Sequence, residues 1–437
     1  MPVTGTAELG FAFMWSTASS RMSRVMPARI GRRSLSLLFS APTRLPRAPA
    51  TPPYRRNGRY INPWQTAPER NMAAALWRML RCHLNSHDVQ LPRTQPDFNL
   101  IRNPPNSNDE AILTWIGHSS FLIQIGRYNI LTDPIFSERA SPSIWFGPKR
   151  IVPVANGSLS NLVADLPPID IVLISHNHYD HLCADTVDAL HASHRPTFFV
   201  PAGVGEWMRQ RRIDDVVEMD WWQTSSSPCL MSSTSPQIEI ISLPVQHLTS
   251  RSIFDRGATL CLSYMMRFRT LDSIRQIYFA GDTGYRNVPE SFVGDENDLP
   301  SNPVFRQVGE RLGPVDLSLI PIGAYSPRWF MSPMHLSPED AVCVHQDLRS
   351  RQSIGMHWGT FFLTEEPADE PPRRLRAATS AQGLTESEFG VMQHGETRRI
   401  QFETANELIR EFETTPMARS SNRADDERRS STLQAHL

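Results

Sequence analysis

A cluster of metal-binding residue types directly after an apolar segment constrains this chain more than any other feature. Residues 169–174 are apolar and mostly β-branched apart from one aspartate, which is the pattern of a buried strand. Three histidines and an aspartate follow within six residues: His176, His178, Asp180 and His181. Such side chains are costly to bury unless they are paired, and a divalent metal ion is their usual partner. In an extended segment His176 and His178 lie on the same face and can reach one ion, and a turn after them directs Asp180 and His181 toward a second.

Three later segments repeat this arrangement of a strand followed by a metal-binding residue. Residues 238–243, 276–280 and 353–356 each have the pattern of a buried strand, and they precede, in this order, His247, Asp282 and His357. Side chains delivered from several strand ends of one scaffold can converge on a rigid site at one edge of a sheet. Either histidine alone would more often be an ordinary polar residue, but together with the first cluster both are predicted ligands.

Composition excludes several classes of protein. The chain has 437 residues, 40 % hydrophobic and 20 % charged, which is typical of a globular enzyme with one large core or two modest ones. Its net charge of −1 gives no overall attraction to nucleic acid. The five cysteines contain no Cys-x-x-Cys pair, which favours a reducing compartment. No apolar run approaches the roughly 18–20 residues needed to span a bilayer, so we expect any membrane contact to be peripheral.

Composition also divides the chain into four parts. Residues 1–50 are rich in Arg, Ser, Ala and Pro and almost free of acids, which fits either a mitochondrial targeting segment or a disordered extension. Residues 51–110 are expected to form an arm and a helix at 72–84 that packs on the main domain, although the arginines and the tryptophan of that helix also suit a membrane surface. Residues 111–413 are expected to form the main domain, and the polar tail at 414–437 is expected to be disordered.

Other elements of the main domain can also be placed. We predict a three-stranded meander at residues 112–116, 121–125 and 129–132, further strands at 197–200 and 317–321, and helices at 184–192, 204–211 and 339–349. Two loops are predicted, a Ser-rich one at 224–236 and one rich in Gly, Asp, Asn and Pro at 286–303.

The order of the predicted ligands resembles that of the metallo-β-lactamase superfamily. The motif His176-x-His178-x-Asp180-His181 is followed by His247, Asp282 and His357, and the resemblance covers roughly residues 112–402. It implies an α/β fold of layered type, the αββα sandwich, with a centre of two metal ions, usually zinc. Histidine at the second ligand position fits the zinc hydrolases of the superfamily better than its di-iron oxygen-reducing enzymes.

Further segments are similar to the N-acyl-phosphatidylethanolamine-hydrolysing phospholipase D family. They are residues 57–64, 131–142, 147–150, 279–285, 321–331 and 357–361. This resemblance implies a membrane-associated phospholipase D, a phosphoric diester hydrolase that converts N-acyl-phosphatidylethanolamine into N-acylethanolamine and phosphatidic acid by means of water activated at two Zn²⁺ ions per chain. It also implies an intracellular, peripheral membrane protein with a phospholipid as substrate, and a homodimer.

The resemblance assigns roles to individual residues. His176, His178 and His247 would hold one zinc, Asp180, His181 and His357 the other, and Asp282 would bridge them. The catalytic residues would be Asp282 and Asp180, which orient the water, and His335, which falls where the family has a histidine near the substrate phosphate. Candidate substrate-binding residues are Tyr179, Tyr325, Trp329, Phe330 and Met334.

Some of these assignments leave alternatives open. The apolar cluster before His335 suits a wall facing an acyl chain and equally suits ordinary core, and Tyr179 could contact substrate or pack. Met334 departs from the family pattern, which has a polar residue there in the animal enzyme. A hydrolase of a soluble ester, lactone or phosphodiester is the alternative function. A lipid substrate predicts an exposed apolar patch beside the site, and a soluble substrate does not.

Overall fold

The chain folds around strands that are apolar on both faces. The computed structural model describes residues 39–46, 48, 54–68, 90–143, 145–227, 236–252 and 254–402. The chain divides into two compact units, Met1–Leu35 and Ser36–Leu437, and the first lies outside the described residues. The helix predicted at residues 72–84 and the tail at 414–437 also lie outside them.

The strands and helices of the described residues are as follows. The strands are β1 (Thr43–Arg44), β2 (Arg55–Arg56), β3 (Arg59–Tyr60), β4 (Glu110–Gly117), β5 (Ser120–Ile125), β6 (Tyr128–Thr132), β7 (Ile171–Leu173), β8 (Thr197–Pro201), β9 (Val216–Met219), β10 (Gln223–Ser226), β11 (Gln237–Pro244), β12 (Leu262–Arg269), β13 (Ile274–Phe279), β14 (Val315–Pro321), β15 (Ser350–Met356), β16 (Phe389–Val391) and β17 (Thr397–Gln401). The α-helices are α1 (Phe98–Arg102), α2 (Leu159–Asp165), α3 (Ala184–His194), α4 (Gly205–Gln210), α5 (Val304–Leu312), α6 (Arg328–Met331), α7 (Pro338–Asp347) and α8 (Glu370–Ala381).

These strands form two large sheets and a small hairpin. One sheet has the order β1-β10-β11-β12-β13-β14-β15-β16, the other has the order β17-β4-β5-β6-β7-β8-β9, and β2 pairs with β3. In each large sheet an antiparallel meander leads into parallel strands, at β13 to β16 and at β6 to β9. Strands β4, β6 and β7 of one sheet therefore run in the same direction, as do β11, β13 and β15 of the other. Loops that follow these strands share an edge of each sheet.

Side chains alternate between the two faces of each strand and form two cores. One core lies between the two sheets, and the other lies on the outer face of the seven-stranded sheet. Inward residues of both sheets form one buried cluster that includes Ile123, Ile130, Leu173, Phe199, Ile240, Met266, Ile277 and Leu319. Their neighbours in β5, β6, β7 and β8 point outward and pack on α2, α3 and α4 in a second cluster that includes Leu122, Leu131, Val172, Phe198, Leu162, Val187, Leu190 and Met208. Helices α7 and α8 pack against each other, and α7 contacts β14 and β15. The predicted αββα sandwich is confirmed.

Most predicted elements of the main domain are present with shifted ends. The meander corresponds to β4, β5 and β6, and the segment at 286–303 is irregular except for one turn of 3₁₀ helix at Glu296–Asp298. Strand β12 was not predicted. The Ser-rich loop was placed too early, because Gln223–Ser226 pairs with β11 and belongs to the sheet. Residues 228–235 lie outside the described residues.

Some residues before the predicted boundary at residue 50 belong to the larger sheet. Thr43 and Arg44 pair with Thr224 and Gln223 and so form the edge strand of the larger sheet. Phe39 packs edge-on against Phe199 with ring centroids 4.8 Å apart. The edge of β10 offers unpaired backbone groups, and a short extended segment of almost any composition can satisfy them.

The arm that follows also packs on the main domain. Tyr54 and Trp64 lie against Trp221, with ring centroids 4.4 and 5.3 Å from it. The hydroxyl of Tyr54 donates to Asp220, and burial together with that carboxylate raises the pKa of Tyr54 to about 12. The arm leads to Thr66, which is buried and hydrogen-bonded to Gln246.

Candidate metal centre

The predicted ligands come from loops that follow strands of both sheets. His176 follows β7 in one sheet, whereas His247, Asp282 and His357 follow β11, β13 and β15 in the other. Because these strands end at the same edge, side chains far apart in the chain meet in one buried cluster. His357 takes a positive φ of 63°, so the chain turns sharply as β15 ends and the imidazole faces the cluster.

One group of nitrogens is formed by three histidines. Nδ1 of His178 lies 2.9 Å from Nε2 of His176 and 3.3 Å from Nε2 of His247. Burial, with the neighbouring imidazoles, lowers the pKa of His176 well below its usual value and that of His178 to about 4. These side chains are therefore neutral imidazoles whose ring nitrogens converge, which is the form that binds a metal ion.

A second group combines a carboxylate with two imidazoles. Oδ2 of Asp180 lies 3.4 Å from Nε2 of His181 and 3.7 Å from Nε2 of His357. Burial disfavours the charge on His357, but the nearby carboxylates of Asp282 and Asp180 outweigh it and raise the pKa of His357 to about 9. The negative field that favours a proton here also favours a cation.

Asp282 lies between the two groups. Its Oδ1 is 3.1 Å from Nε2 of His357, and its Oδ2 is 3.2 Å from Nε2 of His181. The same Oδ2 is 3.9 Å from Nε2 of both His176 and His247. Asp282 therefore lies within reach of both groups, and the bridging role that the resemblance implies for it stays a prediction.

Several buried polar atoms of this cluster lack hydrogen-bond partners among the residues that the structure describes, which is expected of atoms that bind metal ions. Nε2 of His181, Nε2 of His357 and Oδ1 of Asp282 are buried and have no hydrogen-bond partner within the described residues. Buried polar atoms without partners are rare, so each needs an explanation. All three atoms point toward the other predicted ligands, and the donor set of imidazole nitrogens and carboxylate oxygens is the one that a divalent transition metal takes. The residues fit two ions.

Two residues that the sequence analysis did not select hold the ligands in place. Oδ2 of Asp133 lies 2.6 Å from Nδ1 of His181, and Asp133 also accepts hydrogen bonds from the backbone and the hydroxyl of Ser175. Nε2 of His118 lies 2.9 Å from Oδ2 of Asp180. Both residues directly follow strands, β6 and β4, so the pattern of strand and polar residue that identified the ligands would also have found them.

His335 lies close to ligands of both groups. Its Nδ1 is 3.8 Å from Oδ2 of Asp282, and its ring centroid is 5.2 Å from that of His247 and 5.5 Å from that of His357. The neighbouring Met334 uses its carbonyl oxygen to accept from Nδ1 of His247, while its side chain is partly exposed. The segment before α7 therefore both orients one predicted ligand and brings His335 to the site.

The remaining predicted substrate contacts occupy different surroundings. Trp329 is partly exposed and packs edge-on against the buried Phe330, with ring centroids 5.6 Å apart. The hydroxyl of Tyr325 donates to Glu370 at 2.6 Å and its ring lies under Arg374. Tyr325 is thus engaged with α8, and no contact between its side chain and a predicted ligand is seen in the described residues.

Tyr179, which stands between the predicted ligands His178 and Asp180 in the chain, borders a large cavity. The cavity has a volume of about 1270 Å³, and its lining includes Lys149, Trp207 and Arg251, whose guanidinium lies 3.9 Å from the Tyr179 ring centroid. Large apolar side chains project from the two loops that border it: Trp145 and Phe146 are each 76 % exposed and Phe254 is 80 % exposed. A lipid substrate predicts exposed apolar side chains near the site, and that prediction stays open.

Comparison with known proteins places the fold and the site in one class. The model of the β-lactamase superfamily domain matches residues 128–358, a range that contains all seven predicted ligands. The fold and the site together define a metallo-β-lactamase-fold hydrolase that binds metal.

Curated relatives narrow the family further. The chain is 34 % identical over 322 residues to the N-acyl-phosphatidylethanolamine-hydrolyzing phospholipase D 1 of Caenorhabditis elegans, a match that covers 72 % of this chain and 83 % of that protein. It is 32 % identical over 263 residues to the mitochondrial N-acyl-phosphatidylethanolamine-hydrolyzing phospholipase D of Saccharomyces cerevisiae, covering 60 % of this chain and 50 % of that protein. The chain belongs to the N-acyl-phosphatidylethanolamine-hydrolysing phospholipase D family.

Two further findings concern structure. Among solved structures, the metallo hydrolase Igni18 from Ignicoccus hospitalis is similar, with a TM-score of 0.45 and 21 % identity over 67 % of this chain and all of that one. In the part of the chain that the structure describes, no helix is both long enough and apolar enough to cross a bilayer.

Proposed function

We propose that this chain is a zinc-dependent phospholipase D that hydrolyses N-acyl-phosphatidylethanolamine to N-acylethanolamine and phosphatidic acid. The observation that carries the reaction class is the position of Asp282, whose two oxygens lie within 3.1–3.9 Å of nitrogens from both ligand groups. Nitrogen and carboxylate donors in this arrangement suit zinc. The names of the two family members described above support the substrate.

Each group of residues has a task in this reaction. Two zinc ions held by these residues would supply a water of lowered pKa and would offset the charge of a phosphodiester. Asp282 and Asp180 would orient the water for in-line attack on phosphorus, and His335 would donate a hydrogen bond to a phosphate oxygen. The bond between phosphorus and the ethanolamine oxygen breaks, that oxygen leaves with a proton from the attacking water, and the oxygen from water remains on phosphatidic acid.

The surface beside the site supports a lipid substrate. Trp145, Phe146 and Phe254 present aromatic rings to solvent on loops that also carry Lys149 and Arg251. Aromatic side chains with nearby cations suit the interface of an anionic bilayer, where the ring inserts and the charge meets headgroups. We propose that the protein binds membranes peripherally through this face, without nucleic acid as a partner. The name of the yeast relative and the ten arginines against one acid in residues 1–68 support a mitochondrial membrane.

The test is hydrolysis of N-acyl-phosphatidylethanolamine in mixed micelles, with zinc measured on the same sample. The proposal expects two zinc ions per chain, release of N-acylethanolamine, and ¹⁸O from labelled water in the phosphatidic acid. Two zinc ions without that product would favour the alternative substrate class, a soluble ester, lactone or phosphodiester. Fewer than two ions would contradict the centre itself.

A further inference from the structure

We propose that His118 is a positioning residue for the metal centre, which donates its Nε2–H to Oδ2 of Asp180 and so fixes the direction in which that carboxylate faces its ion. The sequence motifs and the family comparison assign His118 no role. The inference rests on the metal centre proposed above and is independent of the choice of substrate.

Distances separate a positioning role from direct ligation. Nε2 atoms of three imidazoles surround Oδ2 of Asp180, at 2.9 Å for His118, 3.4 Å for His181 and 3.7 Å for His357. The contact from His118 is a hydrogen bond to the carboxylate, of the charge-assisted kind. Nε2 of His181 and Nε2 of His357 are buried and have no hydrogen-bond partner within the described residues, so both nitrogens stay available to an ion.

The backbone of His118 is fixed by the loop that carries a ligand. Its N–H donates to Oγ1 of Thr360 at 2.6 Å, and its carbonyl accepts from the N–H of His357 at 3.1 Å and from Nε1 of Trp115 at 2.9 Å. The residue has a positive φ of 56°, so the turn between β4 and β5 is held in an uncommon conformation that directs the imidazole at the site. Its ring also packs against that of His357 in a tilted arrangement, with centroids 3.9 Å apart.

Asp180 is the ligand that needs such a partner. The side chains of His181 and His357 are fully buried, whereas that of Asp180 is 15 % exposed. Although the nitrogen of His118 lies in the same cluster of possible donors as Asp180, His181 and His357, it is hydrogen-bonded to the carboxylate, and His118 is not among the seven predicted ligands. Ligating carboxylates depend on such partners for orientation, and loss of one typically costs about 10–100-fold in metal affinity.

The test compares His118→Phe, which keeps a planar ring without a donor, with His118→Gln, which restores a donor. His345→Phe is the matched control, because His345 is also buried and hydrogen-bonded, to Ser353, and lies outside the predicted ligands. Zinc affinity is measured on the full chain by competition with a chromophoric chelator, and the melting temperature of the chelated protein reports folding. We expect His118→Phe to weaken one of the two ions about 10–100-fold, His118→Gln to recover most of the loss, and His345→Phe to bind both ions as the wild type does.

A double variant shows whether His118 acts through Asp180. In an Asp180→Ala background, His118→Phe should cost no further affinity, because the carboxylate that it orients is gone. Wild-type affinity in His118→Phe, an equal loss in His118→Gln, or a full additional loss in the double variant would each overturn the proposal. All readings use zinc alone, so failure to cleave lipid would count against the proposed function and leave this inference standing.

Discussion

Thr66 and Gln246 are hydrogen-bonded to each other although 180 residues separate them in the chain. Nε2 of Gln246 donates to the carbonyl of Thr66 at 3.0 Å and to the carbonyl of Pro333 at 2.9 Å, and Oε1 accepts from the Thr66 hydroxyl. Gln246 precedes the ligand His247, and Pro333 lies two residues before His335. One buried amide therefore joins the N-terminal arm to two segments of the metal centre.

Replacing Gln246 with Leu should lower turnover as well as stability. The variant leaves buried carbonyls without donors, which costs about 1–3 kcal/mol for each unpaired group, and it frees the segment that carries His335. Gln124→Leu is the matched control, since Gln124 is a buried glutamine that bonds Ile101 and Asn129 away from the centre. Both variants should unfold at lower urea concentration, but only Gln246→Leu should lower kcat where both are folded. An equal kcat for the two variants would contradict the coupling.

Sequence alone predicted which side chains cluster, because the predicted ligands follow apolar strands, a local pattern. It missed His118, which follows a strand but stands alone, and it missed the contact of Asp133 with His181, although Asp133 lies in the segment 131–142 that resembles the family. The contact between Thr66 and Gln246 has no local signal, because it depends on how the arm crosses the sheet. Strand β12, with the sequence Leu-Ser-Tyr-Met-Met-Arg-Phe-Arg, was missed because its buried positions are too continuous to show alternation.

The N-terminal edge strand of the larger sheet could not be predicted from side-chain patterns. Thr43 and Arg44 are both exposed, so their membership of the sheet comes from backbone pairing and not from buried side chains. The roles predicted for Tyr179, Trp329, Phe330 and Met334 stay predictions, because they depend on a bound substrate. For Tyr325, the bond to Glu370 is a tertiary contact that the motif containing the tyrosine does not reveal.

Asp282→Asn should abolish turnover with little effect on folding. The amide keeps the size of the carboxylate but loses the charge that bridges both groups, so we expect a loss in kcat of more than about 100-fold, beyond the cost typical of a residue outside the ligand set. Activity and zinc content should be measured together, with the melting temperature of the chelated protein as a folding control. Activity within a few-fold of wild type would show that Asp282 does not bridge.

Stability of the chelated protein should fall as pH rises. His357 has a folded-state pKa of about 9 against an ordinary 6.5, so its protonated form contributes stability that is fully present below pH 6.5 and lost as pH rises through 9. Bound ions replace that proton, and the loaded protein should lose this dependence while its zinc affinity rises over the same range. Urea denaturation of chelated and loaded samples from about pH 7.5 to 9.5 measures the effect, because buried histidines with a lowered pKa, such as His176 and His178, make stability rise with pH only up to their ordinary pKa of 6.5. A chelated protein that becomes more stable across this range would contradict the assignment.

The double substitution Trp145→Ser with Phe146→Ser should impair hydrolysis at a membrane surface. Burial of a large apolar side chain contributes about 1.5–3 kcal/mol, so we expect at least a tenfold loss of binding to anionic vesicles. Hydrolysis of a short-chain, monomeric substrate should change little, since neither residue is a predicted ligand. Val293→Ser is the control, because Val293 is 95 % exposed on the separate loop at 286–303. Equal losses on vesicles and on monomeric substrate would argue against a membrane role.

The most direct measurement of the central claim is the anomalous scattering of zinc in crystals of the full chain. The account predicts two zinc peaks about 3.5–4 Å apart, one among His176, His178 and His247 and the other among Asp180, His181 and His357, with one oxygen of Asp282 on each. A single peak, or two peaks with Asp282 bound to neither or only one, would contradict a bridged two-metal centre.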